Sequence, residues 1–210
     1  AGVVSLLGAA SMTGALTVAS GTLNTSTFAL GVAGNLTVNS AISGTTGAIT
    51  LNGAGTTIGG TGSITTTTGA LTIPAAKSIL ATANLAIASP IAITAAVAVT
   101  NNGTITSTSA SGITGIVGST WVNAAGSTLN VAGPLLAAGT LTANAAVNTV
   151  NYTGAAQTVN PTAYYHLGLS GSGTKTMTGV TAIGGDLSIS GTATMTANSA
   201  FTVTGALSYS

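Results

Sequence analysis

Very few side chains in this sequence could carry out acid, base or metal chemistry. Among 210 residues the charged groups are Lys77, Lys175 and Asp186, and His166 is the one further residue that titrates near neutral pH. Glycosidase chemistry needs two carboxylates, and a calcium site needs several carboxylate oxygens. Cysteine is absent, which excludes disulfides and thiolate sites. We therefore predict a protein that is not an enzyme and that uses no metal ion and no cofactor.

His166 and Asp186 are twenty residues apart, and this spacing is a first sign of internal order. The hexapeptides that begin at these residues, His-Leu-Gly-Leu-Ser-Gly and Asp-Leu-Ser-Ile-Ser-Gly, match along their length. In a twenty-residue repeat the two side chains would lie on adjacent coils, about 4.8 Å apart. A catalytic triad would also need a nucleophile at this place. We interpret the pair as a consequence of the repeat.

A glycine followed one residue later by an apolar–polar–apolar triplet recurs along the chain. Clear copies begin at Gly14, Gly34, Gly47, Gly69 and Gly185, and looser copies begin at Gly139 and Gly205. The period of two places the outer triplet residues on one face and the central Thr or Ser on the other. Each copy therefore predicts a short β-strand, and the frequent glycines disfavour long helices.

The distances between copies indicate how the strands are arranged. Four pairs of apolar residues are separated by twenty positions: Leu16 and Leu36, Leu85 and Ile105, Leu167 and Leu187, and Leu187 and Leu207. Gaps of 13 and 22 residues, from Leu36 to Ile49 and from Ile49 to Leu71, interrupt this period. We predict an all-β parallel β-solenoid with coils of about twenty residues. Two β-sandwich domains joined by strand donation are the alternative.

The composition changes near Asn148, but no linker divides the chain, so we predict a single solenoid domain over residues 1–210. Aromatic residues are rare before this point and more frequent after it. Residues 151–159 and 164–176 resemble repeats of large secreted bacterial surface proteins, of the filamentous haemagglutinin type and of autotransporter passengers. The resemblance implies an extracellular β-helical stalk without catalytic residues.

Charge and hydropathy limit the partners. The net charge is +1 and arginine is absent, so we expect no binding to nucleic acid, whose affinity depends on neutralised phosphates. The uncharged stretch 79–99 contains Ser89 and Pro90 and alternates apolar residues. We therefore predict two strands with a turn there, and no membrane insertion. The sequence begins with Ala1, which favours a processed or excised chain and an extracellular or cell-surface location.

The C-terminal residues 200–209 are predicted to form a strand with an apolar face made by Phe201, Val203, Leu207 and Tyr209. A solenoid without a polar or helical cap leaves backbone groups unpaired at its ends. We predict a homopolymer joined through β-edges, as the structural subunit of an extracellular filament or surface assembly. Alternatives are an adhesin stalk or carbohydrate-binding surface module, and a pilin-like β-sandwich that donates a strand.

Four Asn-x-Ser/Thr sequons occur in the chain, at Asn24, Asn35, Asn102 and Asn151. If the host glycosylates its surface proteins, we expect Asn102 and Asn151 to be modified, because both lie in turn-like contexts. Otherwise they are unmodified turn asparagines.

Overall fold

The computed structural model describes residues 2–210, and within that range it contains 29 β-strands and no helix. The predicted all-β fold is confirmed. No helix in the described range is long and apolar enough to cross a membrane. The stretch 79–99 forms strands, with a break at Ser89 and Pro90, as the alternation of its apolar residues predicted.

The strands are short, mostly of three or four residues, and follow one another at tight corners. In chain order they are β1 Val3–Ser5, β2 Ala10–Met12, β3 Leu16–Val18, β4 Thr22–Asn24, β5 Leu30–Val32, β6 Leu36–Val38, β7 Ala41–Gly44, β8 Ile49–Leu51, β9 Thr56–Gly59, β10 Ser63–Thr66, β11 Leu71–Ile73, β12 Lys77–Ile79, β13 Asn84–Ile87, β14 Ile91–Ile93 and β15 Ala98–Asn101. They continue as β16 Thr104–Ser107, β17 Ile113–Gly115, β18 Thr120–Asn123, β19 Thr128–Val131, β20 Thr140–Thr142, β21 Thr149–Tyr152, β22 Gln157–Val159, β23 His166–Leu169, β24 Ser172–Met177, β25 Ala182–Ile183, β26 Leu187–Ile189, β27 Thr192–Ala197, β28 Thr202–Val203 and β29 Leu207–Tyr209.

The strands stack into a parallel solenoid of about ten coils with three faces. The first face is one sheet of eleven strands, ordered β1-β4-β7-β10-β13-β16-β19-β21-β23-β26-β29. The second face begins as the sheet β2-β5-β8-β11-β14-β17 and resumes later as β22-β24-β27. The third face is β3-β6-β9-β12-β15-β18-β20, followed by β25-β28. The sequence repeats are therefore the rungs of a single stack.

The predicted register is confirmed at all four twenty-residue pairs, because each pair occupies neighbouring strands. The two spacings that interrupt the twenty-residue period have different explanations. The step of 22 residues from Ile49 to Leu71 is also one coil, whereas the step of 13 from Leu36 to Ile49 leads from the third face to the second. Coils lengthen at their corners, so the period varies while the strands stay in register.

A column of inward side chains runs the whole length of the first face and forms part of the core. Its members are Val4, Leu23, Ile42, Ile64, Ile87, Ser107, Val131, Tyr152, Leu169, Ile189 and Tyr209. We call it the central column. Ile64 and Val131 in its middle are completely buried, whereas Val4 is 67% exposed and Tyr209 is 76% exposed at its two ends. Within residues 2–210 the central column is therefore buried along the stack and exposed at its first and last members.

The C-terminal segment differs from its prediction as one strand over residues 200–209. The chain bends at Gly205, so β28 lies on the third face and β29 on the first. A Cβ at Gly205 would overlap the backbone of Gly185 in the coil below. Glycine therefore permits the close approach at this corner, and a straight strand of ten residues does not form.

Candidate assembly interface at the open ends

The C-terminal end of the solenoid presents strands that are paired on one side only. Here β27 pairs with β24, β28 with β25 and β29 with β26, and the described residues include no strand beyond them. Leu207 lies beside Leu187 in register, yet Leu207 is 65% exposed and Leu187 is buried. We call these three strands the C-terminal edge. It combines unpaired backbone with apolar surface.

Three of the four predicted interface residues lie in this edge, namely Val203, Leu207 and Tyr209, and Phe201 directly precedes β28. Phe201 and Val203 are half-buried and pack on the core, and Leu207 and Tyr209 are exposed. The sequence predicted one shared strand face for all four residues. They do not share one, because the bend at Gly205 divides them between two faces. Val203 stacks on Ile183 and Tyr209 stacks on Ile189, so each continues an apolar row that a further coil would cover. Their role in assembly stays a prediction.

The opposite end has the same character, and sequence reasoning did not single out its residues. Strands β1, β2 and β3 pair only with β4, β5 and β6, and we call them the N-terminal edge. Val3 is 64% exposed, Val4 is 67% exposed and Leu7 is 94% exposed. The closely spaced apolar residues Val3, Val4, Leu6 and Leu7 are the signal that could have identified them.

The two lysines contribute no charge to the surface. Lys77 is 4% exposed and Lys175 is fully buried. Burial lowers the pKa of both amines from their usual value of 10.5. The Nζ of Lys175 donates to the carbonyl oxygens of Gly154, at 2.6 Å, and Ala155. Among the described side chains, Asp186 is therefore the exposed charged group.

His166 and Asp186 lie on adjacent coils, as their spacing predicted. The Nδ1 of His166 is 3.5 Å from the Oδ2 of Asp186 and accepts a hydrogen bond of 2.9 Å from the backbone N–H of Asp186. The Oδ1 of Asp186 accepts the N–H of Ala206 at 2.8 Å. Nδ1 is therefore the unprotonated nitrogen in this arrangement. The pair ties the last coils together at the surface. Thr149, Ser188 and Ser208 line the same shallow pocket, and within residues 2–210 no hydrogen bond joins their hydroxyl groups to His166 or Asp186.

The two sequon asparagines predicted for glycosylation both use their side-chain nitrogen within the fold. The Nδ2 of Asn102, in the turn after β15, donates to the backbone oxygen of Ile79 at 2.9 Å. Asn151 lies within β21 and not in a turn, and its Nδ2 donates to the Oδ1 of Asn130 at 2.7 Å. Attachment of a glycan to Nδ2 would disturb these contacts between coils. Glycosylation stays a prediction.

The comparisons with known proteins give no relative. No family model, no curated protein and no solved structure matches this chain. The β-solenoid repeat is therefore shown by the fold itself, and function has to be argued from the geometry. Groups of three or more His, Cys, Asp or Glu side chains that could hold a metal ion do not occur within residues 2–210.

Proposed function

We propose that this chain is a structural subunit of an extracellular filament or surface assembly, whose coils join end to end through β-edges. The observation that supports this proposal is the pair of open ends, where Val4 and Tyr209 of the central column are largely exposed. A second copy stacked on either edge would cover apolar surface and pair free backbone groups at the same time. The partner is therefore another copy of the chain.

The low surface charge favours this association. Charge repulsion normally keeps proteins apart, and net charge near zero promotes association. The lysines are buried, the carboxylate of Asp186 accepts the N–H of Ala206, and the backbone N–H of Asp186 donates to His166. The extracellular location rests on the resemblance of residues 151–159 and 164–176 to repeats of secreted bacterial surface proteins, of the filamentous haemagglutinin and autotransporter-passenger types.

An adhesin stalk or carbohydrate-binding module is the second candidate, and one observation favours it. On the outer side of the first face, the side chain of Asn151 donates to Asn130, which donates to Thr106 at 3.0 Å. This ladder forms a flat, ordered row of polar groups along the rod. Such a row suits a surface that other molecules touch, with the solenoid as the support.

The test is electron microscopy and sedimentation velocity of the purified 210-residue chain over a range of concentrations. We expect filaments one solenoid wide, and we expect Leu207→Lys to raise the concentration needed for assembly at least tenfold. Ser208→Lys is the matched control, because Ser208 lies on the same strand and faces outward beside Ser188. Discrete rods at every concentration, or equal assembly of both variants, would refute the filament and favour the stalk.

A further inference from the structure

The second face of the solenoid is interrupted by a cleft of about 990 Å³. The first sheet of this face ends with a single bridge from Ile113 to Leu135. The next sheet begins one coil later with β22, which pairs only with β24. The backbone ladder is therefore missing between residues 132–136 and β22, and the cleft lies at this place.

Two side-chain amides take the place of the missing ladder. The Nε2 of Gln157 donates to the backbone oxygens of Val131, at 3.1 Å, and Gly133, at 2.9 Å. The Nδ2 of Asn160 donates to the backbone oxygen of Leu135 at 3.0 Å. These bonds join the two coils, and both amide residues line the cleft. They hold the coils at a fixed separation, so the cleft is preformed.

A buried lysine fixes the position of the Gln157 amide. The Oε1 of Gln157 accepts hydrogen bonds from the Nζ of Lys175, at 3.0 Å, and from the backbone N–H of Gly154, at 2.8 Å. Every hydrogen-bonding atom of this amide is thus engaged, and the amide cannot turn into the cleft. Preorganisation of this kind reduces the entropy that a ligand must overcome on binding.

The lining of the cleft restricts the chemistry of an occupant. Small alanine, glycine and proline residues form much of its walls, and none of the lining side chains is ionisable or aromatic. The larger members are Leu135, Leu136, Leu141, Thr140, Thr158, Thr162, Gln157 and Asn160. A charged ligand would find no counter-charge, and a sugar would find no ring on which to stack. Thr158 of β22 is exposed at the cleft, on an edge strand. Edge strands bind extended chains through backbone hydrogen bonds.

We propose that this cleft binds an extended, uncharged peptide segment of a partner protein, which pairs with the free edge of β22. Small apolar side chains of the peptide would contact Pro134, Pro161 and Ala155. The volume is at the upper end of the range for ligand sites, about 300–1,000 Å³. The proposal is independent of end-to-end assembly, because the cleft lies in the middle of the rod.

The test uses a capped peptide with the sequence of residues 90–94, which includes β14 of this same face. A photoreactive diazirine analogue replaces one isoleucine, and cross-linked positions are mapped by mass spectrometry. We expect labels within residues 132–141 and 155–162. Thr158→Trp should reduce labelling at least tenfold by filling the cleft. Thr72→Trp, on the outer side of β11 in the earlier sheet of the same face, is the control and should leave labelling unchanged.

Several results would overturn the proposal. These are labels confined to the N-terminal or C-terminal edge, an absence of labelling, or equal labelling by a peptide whose backbone amides are N-methylated and cannot pair. Competition by cellohexaose would assign the cleft to a sugar instead. The N-methylated peptide needs no protein variant, so the test holds even if Thr158→Trp does not fold.

Discussion

The hydroxyl groups of Tyr152 and Tyr164 are 3.0 Å apart and close a ring of hydrogen bonds with the main chain of Asn160. The hydroxyl of Tyr164 donates to the oxygen of Asn160 at 2.8 Å, and the N–H of Asn160 donates to the hydroxyl of Tyr152 at 2.9 Å. The hydroxyl proton of Tyr164 is used in the bond to the Asn160 carbonyl oxygen, so the hydroxyl of Tyr152 donates to the hydroxyl oxygen of Tyr164. Both side chains are buried.

Replacing Tyr152 with Phe should destabilise the solenoid, because the partly buried N–H of Asn160 would lose its acceptor. We expect a loss of roughly 1–3 kcal/mol in the free energy of unfolding, the usual cost of an unpaired buried polar group. Urea unfolding followed by circular dichroism measures it. Tyr165→Phe is the control, since no protein partner of that hydroxyl is present among residues 2–210, and it should change stability by less than about 0.5 kcal/mol. Equal stability of both variants would contradict the ring.

The buried ionisable groups predict how stability depends on pH. Burial lowers the pKa of Lys77 and Lys175 below 10.5, so their favourable contribution is complete above pH 10.5 and is lost as the pH falls through the lowered pKa. Burial raises the pKa of Tyr152 to about 12 from 10.0. Its contribution is complete below pH 10.0 and is lost as the pH rises through about 12.

We therefore expect the free energy of unfolding to rise as the pH increases through the lowered pKa values of the two lysines, and the contribution of Tyr152 to be lost between pH 10.0 and about 12. Urea unfolding at several pH values in this range tests the expectation. Two variants separate the contributions: Lys175→Met should reduce the rise, and Tyr152→Phe should reduce the fall. A curve that decreases steadily from neutral pH would show that the lysines do not contribute in this way.

The sequence was sufficient to predict the fold but not its buried polar groups. Leu16 and Leu36, or Leu167 and Leu187, stack because a parallel solenoid turns a sequence period directly into contact. Burial of Lys175 could not be predicted, since lysine is rarely buried and its acceptors come from the preceding coil. The cleft depends on where the ladder of the second face ends, and a repeat of short triplets does not contain that information.

Glycines at the corners provide a test of how closely the coils approach. A Cβ at Gly62 would overlap the carbonyl group of Ser40 in the coil below, whereas a Cβ at Gly14 would meet nothing within 4 Å. Gly62→Ala should cost about 1–3 kcal/mol through overpacking. Gly14→Ala should be neutral or stabilising by about 0.4–1 kcal/mol, because it restricts the unfolded chain. Thermal melting of the two variants distinguishes these outcomes, and equal melting temperatures would argue against close corners.

The ends of the central column predict the register of the joint between copies. If β1 of one copy pairs with β29 of another so that the column continues, Val4 of the first lies beside Tyr209 of the second. Their Cα atoms would then be about 4.8 Å apart, within the range of about 4.4–6.8 Å that a disulfide bridges. The chain has no cysteine of its own. The double variant Val4→Cys with Tyr209→Cys should therefore form disulfide-linked ladders on mild oxidation.

Two cysteine controls fix the interpretation of that experiment. Tyr209→Cys alone should give no linked dimer, because identical ends do not meet in a head-to-tail joint. Ser5→Cys with Tyr209→Cys should link weakly, because Ser5 is one residue along β1 from Val4 and faces the opposite side. Linked dimers of the single variant would show tail-to-tail contact. Filaments without ladders would keep the proposed assembly and reject this register.

Assembly should also be nearly independent of salt, since the edges that meet carry no charged side chain. At about 1 M salt the Debye length is about 3 Å, which weakens attraction and repulsion between exposed charges alike.

Removal of residues 200–210 should leave soluble monomers or short oligomers, because it deletes β28 and β29. Val203→Lys should weaken assembly by burying an unpaired charge at the joint. The critical concentration, measured by sedimentation at low and high salt, should change for these variants and not with salt. A strong decrease in assembly at high salt would mean that charged groups, and not apolar edges, hold the copies together.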